Sequence, residues 1–167
     1  MQGTQVSLVQ PALFGGLVMG VLSALPIVAA GNLCCCLWVI SGGVVAAYIL
    51  QQNQPTPIKQ GDGALVGLLA GVIGAFVYLL ISIPITVLVA PLERAVLERV
   101  IETAGGMPPE FRRYFDSSAI GGLGLVISFI LMLFGGAVFS TVGGLIGAVI
   151  FRKPLGPGTI DVAPPPA

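Results

Sequence analysis

The stretch Gly63-Ala-Leu-Val-Gly67-Leu-Leu-Ala-Gly71-Val-Ile-Gly74-Ala-Phe-Val-Tyr-Leu-Leu-Ile-Ser-Ile-Pro84-Ile-Thr-Val-Leu-Val-Ala90 contains no Asp, Glu, Lys, Arg or His. From Ala64 onward it exceeds the roughly 20 apolar residues that cross a hydrocarbon core about 30 Å thick, so it reads as a transmembrane helix. Gly63, Gly67 and Gly71 recur every fourth residue, with Gly74 close to the same face. Residues at that spacing share one side of a helix, and without side chains there a second backbone can approach closely. The stretch therefore predicts both a solvent, lipid, and a mode of association, a glycine zipper.

The rest of the chain agrees about the solvent. Of 167 residues, 56% are hydrophobic and only 8% charged, against about 25% charged in ordinary soluble domains. Mean hydropathy is +1.02. The 7 basic and 7 acidic residues cancel, so nothing suggests a nucleic-acid partner. Three further stretches lack charge and His: Ala12 to Ala30, Leu33 to Leu50, and Ala119 to Phe151. The expected fold is an all-α membrane protein with four transmembrane helices as two hairpins. The spans are placed at about 12–30, 33–50, 64–90 and 119–151, within a single membrane domain over 1–153. The first span is expected to be retained rather than cleaved, since no basic segment precedes it.

Gly31 and Asn32 suit a tight turn inside the first hairpin. Gln51 to Asp62 reads as a plain loop. Pro84 predicts a kink, and a bend is expected near Gly135-Gly136 because 119–151 is overlong for one upright span. Between the third and fourth spans, Leu92, Val96, Leu97, Val100, Ile101 and Ala104 recur at helical spacing, opposite Glu93, Arg94, Glu98, Arg99 and Glu102. This predicts an amphipathic interfacial helix over 91–104, opened by Pro91 and closed by Gly105-Gly106. Phe111, Arg112, Arg113, Tyr114 and Phe115 are expected to anchor the chain at headgroup level. The Pro-rich tail over 154–167 is expected to be disordered on its own.

The helix-packing candidates are Gly16 and Gly20 in the first span, Gly63, Gly67 and Gly71 in the third, and Gly136, Ser140 and Gly144 in the fourth, with Gly143 and Gly147 in a second register. Ser41-Gly-Gly-Val-Val-Ala-Ala47 also echoes Val142-Gly-Gly-Leu-Ile-Gly-Ala148, which suggests two hairpins related in parallel. Cys34, Cys35 and Cys36 are adjacent, so on a helix their thiols diverge by about 100° and cannot converge on one metal. With no His anywhere and no charge inside a span, no catalytic residue, metal site or cofactor is expected, and proton-coupled transport has nothing to titrate in mid-membrane.

Asn32-Leu-Cys-Cys-Cys-Leu-Trp38, followed by Gly42-Gly43 and the closing Gly143-Gly-Leu-Ile-Gly147, resembles a loose group of uncharacterised bacterial four-helix membrane proteins. The resemblance implies that architecture and a bacterial inner membrane, and no activity. The functional expectation is a non-catalytic accessory or scaffold subunit of a larger membrane complex, respiratory or photosynthetic assemblies being natural hosts. It would associate with the lipid bilayer and with other membrane subunits through its Gly-rich faces. The alternative is a small homo-oligomeric transporter or pore, lined by Ser41, Ser82, Thr86, Ser128, Ser140 and Thr141. Basic residues divide between Lys59, Arg152 and Lys153 on the terminal side and Arg94, Arg99, Arg112 and Arg113 opposite. The near-equal count favours neither side, and the position of Arg152-Lys153 against a span points to cytoplasmic termini.

Overall fold

The computed structural model describes residues 7–25, 28, 31–32, 36–103, 105–106 and 118–154. Four long α-helices carry most of these residues: α1 Val9–Ala24, α2 Leu37–Gln52, α3 Gln60–Thr103 and α4 Ser118–Ile150. Val28, Gly31 and Asn32 are also helical, in place of the tight turn expected at Gly31 and Asn32. No strand occurs among the described residues. The expected anchors Phe111 to Phe115, Cys34, Cys35 and the tail from Leu155 lie outside them.

Among the described residues, two stretches are long and apolar enough to cross a bilayer: Gln60–Val89, with mean hydropathy 2.6, and Leu123–Ile150, with 2.3. Helices α1 and α2 have 16 residues each, about 24 Å at 1.5 Å per residue. Their observed bounds are shorter than the expected spans at 12–30 and 33–50, and fall below the roughly 20 residues of a full crossing.

Helix α3 departs from expectation at its other end. It continues through Pro84 and Pro91 as one helix of 44 residues, about 66 Å long. The amphipathic segment expected as a separate element over 91–104 is instead the continuation of the third helix. A proline ring fixes φ near the helical value; it removes one backbone hydrogen bond and crowds the carbonyl four residues back, which can bend a helix without ending it. Pro84 and Pro91 are both exposed, which spares their rings a packed neighbour. Helix α4 likewise passes through Gly135-Gly136 without interruption.

The helices form a four-membered ring in the order α1, α2, α4, α3, with α2 and α3 also touching across the middle and α1 and α4 at opposite corners. Neighbours along the chain are antiparallel. Helix α1 runs parallel to α3, Gly16 lying against Gly74 and Gly20 against Val77. Helix α2 runs parallel to α4, Gly43 lying against Gly144 and Ala47 against Gly147. The two hairpins therefore sit side by side in the same sense, like helix next to like.

Alanine and glycine, rather than large side chains, close the core. Ala12, Ala46, Ala47, Ala70 and Ala148 are buried with Leu50, Ile58 and Val66 near the end where the chain enters α1 and leaves α4. Lipid chains are as apolar as leucine, so burying large side chains gives helices little reason to associate; close backbone approach does. Aromatic pairs cover two seams from outside. Tyr48 and Phe151 meet edge-on at 4.9 Å between α2 and the end of α4, and Phe76 and Phe129 at 5.4 Å between α3 and α4.

Candidate functional site

Small residues on each helix meet the backbone of a neighbour. Along the α3–α4 seam, Gly63 lies against Gly144 and Ala148, Gly67 against Ser140 and Gly144, and Gly71 against Gly136 and Ala137. A Cβ placed on Gly67 would stand 3.1 Å from the Gly144 Cα and would collide with the Ser140 carbonyl oxygen. The second register on α4 serves a second partner. Gly143 abuts the Ile40 carbonyl of α2, and a Cβ on Gly147 would come 2.7 Å from the Ala47 Cβ. Helix α4 thus presents one small face to α3 and another to α2, turned by the offset between Gly144 and Gly143.

Helix α1 uses the same device. A Cβ on Gly16 would meet Ile73 at 2.8 Å, and one on Gly20 would meet the Gly74 carbonyl oxygen and Val77 at 2.7 Å. All ten small residues singled out in the sequence therefore face helices of the same chain. By contrast, Gly61, Gly124 and Gly135 have open space where a Cβ would be.

One large side chain stands at the centre. Met19 of α1 is fully buried, and glycines of the other three helices surround it. Its Cβ would be 2.7 Å from a Cβ on Gly42, its Sδ 2.8 Å from one on Gly74, and its Cε 2.9 Å from one on Gly136. The flexible thioether fills the irregular gap that three facing glycines leave. Nothing in the spacing of α1 distinguishes Met19 from its apolar neighbours, since the glycines that define its role lie far away in sequence.

Ser140 is fully buried between Gly43 and Gly67, and its hydroxyl has no hydrogen-bond partner. A buried hydroxyl left unpaired costs about 1–3 kcal/mol. Ser140→Ala is therefore expected to leave the detergent unfolding midpoint unchanged or raise it, whereas Ser140→Val, which adds bulk to the same seam, should lower it. Two other hydroxyls on the expected pore lining turn back into their own helices, Ser41 onto the Leu37 carbonyl and Thr141 onto that of Ala137.

Polar side chains organise the two ends. At one, Asn32 donates from Nδ2 to the Ser23 hydroxyl at 2.9 Å and accepts the Trp38 N–H at 3.1 Å. The Trp38 indole donates to the Val28 carbonyl at 2.6 Å. These bonds tie α1 to the start of α2, where Cys36 takes a left-handed backbone conformation with φ 50°. Among the described residues, no three Cys, Asp or Glu side chains gather at one point.

At the other end, the 53–59 connection is more than a plain loop. Gln51, 1% exposed, donates from Nε2 to the Thr56 carbonyl at 3.0 Å and accepts the Ile58 N–H at 2.9 Å. Lys153 reaches across from the end of α4 to the Gln54 carbonyl at 2.8 Å. Gln51→Leu strips both partners and leaves the Ile58 N–H buried and unpaired. A loss of about 1–3 kcal/mol is expected, read as a lower unfolding midpoint with faster amide exchange confined to 53–59.

Residues 9–153 match the family model described as the MJ1491 transmembrane domain. No curated protein and no solved structure is similar enough to match the chain. The matched region includes all four helices and both polar ends, and the chain belongs to the MJ1491 transmembrane domain family.

Proposed function

We propose that the protein is a non-catalytic accessory or scaffold subunit of a larger membrane complex. In this reading it sits in a cell inner membrane of bacterial type as two helical hairpins with cytoplasmic termini, α3 and α4 crossing fully. The observation that carries the proposal is the far end of α3. Beyond Pro91 the helix continues to Thr103 with Leu92 64% and Val96 55% exposed, alongside exposed Glu98, Arg99 and Glu102. Exposed Leu92 and Val96 beside exposed charged residues on one continuous helix suit a protein partner.

The Gly-rich faces expected to recruit other subunits are occupied by the chain's own helices. The docking surface in this proposal is therefore the α3 extension. The same packing weakens the pore alternative, because glycine backbones in contact leave a single copy little space for water, and any path would have to run between copies.

Extraction in a gentle detergent should bring the protein down with stoichiometric partners. Leu92→Lys together with Val96→Lys should release those partners without moving the unfolding midpoint of the purified chain, because both side chains are exposed. Recovery of the unaltered protein as a lone monomer would overturn the proposal. Solute flux through vesicles holding the purified chain alone would favour the pore.

A further inference from the structure

The end of the bundle where α3 begins and α4 ends carries two adjoining pockets. One, about 330 Å³, is lined by Ile58, Lys59, Gln60, Ala148, Val149 and Arg152. The other, about 400 Å³, is lined by Gln60, Leu145, Ile146, Val149 and Ile150. Gln60 and Val149 line both, so a basic pocket adjoins an apolar groove along α4.

We propose that this composite groove binds an anionic membrane phospholipid, with the phosphate between Lys59 and Arg152 and an acyl chain along Leu145, Ile146 and Val149. The chemistry of each half fits. Lys59 and Arg152 supply two cations, and an arginine fork matches phosphate oxygens. The pocket also lies at the first turn of α3, where amide N–H groups and the helix dipole favour an anion. Asp62, the acid in the first turn of α3, has a carboxylate oxygen 3.3 Å from the Lys59 backbone N–H and does not line either pocket. Lys153, engaged with the Gln54 carbonyl, adds a third positive charge at this end.

The position along the helix fits as well. The apolar stretch of α4 ends at Ile150 and the first charge is Arg152, which places the basic pocket at headgroup depth and the apolar groove below it. A free phosphate would use the first pocket only. The apolar groove beside it suits an acyl chain, which favours a lipid over a free phosphate. The inference is independent of the scaffold reading, since it concerns the opposite end of α3 and needs no protein partner.

The test uses the full purified chain in a neutral detergent, offered phosphatidylglycerol, phosphatidylcholine or inorganic phosphate in turn. Native mass spectrometry should show phosphatidylglycerol retained over phosphatidylcholine on the order of tenfold, as two basic side chains at a membrane surface provide. Lys59→Gln with Arg152→Gln should erase that preference. Val149→Trp, which fills the apolar groove, should weaken retention of both lipids. All these side chains are exposed, and the unfolding midpoint without lipid reports whether each variant is folded. Equal retention of the two lipids, or a preference that survives the double substitution in a folded variant, would overturn the inference. So would inorganic phosphate displacing the bound phosphatidylglycerol.

Discussion

Gly144→Ala is expected to separate α3 from α4 and to lower the stability of the bundle by about 2–3 kcal/mol, at the upper end for overpacking. One methyl group has this effect because of what it meets. A Cβ there would collide with the Gly63 carbonyl oxygen and stand 3.0 Å from the Gly67 Cα. Both are backbone atoms, with no rotamer that could move them aside. Relief requires the helices to part, and parting loosens the neighbouring contacts at Gly71–Gly136 and Gly67–Ser140 together. Alanine favours a helix over glycine by up to about 1 kcal/mol, and that gain is smaller than the loss. Gly135→Ala is the matched control. It lies on the same helix with open space where the methyl would go, so its midpoint should stay level or rise. The comparison is made by denaturant titration in micelles, following far-UV circular dichroism. Equal midpoints for the two variants would mean that the seam is not packed as described.

That contrast also marks where the sequence is informative. The period-four glycines of α3 predict a face on their own, because the spacing and the lack of a side chain are both local properties. Which partner the face meets is not local. Gly143 and Gly144 are adjacent, yet one faces α2 and the other α3. The ends were hidden for a related reason. Gln51 lies in a polar run that looks like any loop, and its two partners, Thr56 and Ile58, come together around it only once the connection has folded. Pro91 misled in the opposite way. A proline marks the first turn of a new helix as readily as an exposed turn of a continuing one, and the sequence around it does not separate the two. The absence of charge in the apolar stretches, by contrast, needed no tertiary information at all.

Met19→Ala is expected to cost more than any other single truncation in the bundle, within the 2–5 kcal/mol range for emptying a core site. The size of the loss depends on whether neighbours can move into the space, and here they cannot. Among the residues facing Met19 are Gly42, Gly74 and Gly136, which have no side chains to swing inward. Three helices would have to shift to close the gap, and each is fixed elsewhere: α2 by Gly43 against Ser140, α3 by Gly67 against Gly144, and α4 by both. The cavity should stay open, at the full cost of the lost contacts. Met19→Leu preserves volume and should cost less than about 1.5 kcal/mol. Val21→Ala, on the outward face of the same helix at 38% exposure, should cost under 1 kcal/mol, since lipid replaces what the side chain touched. The three variants are ranked by their unfolding midpoints in one detergent. If Met19→Ala ranked with Val21→Ala, Met19 would not be the element that joins α1 to the three glycine-faced helices around it.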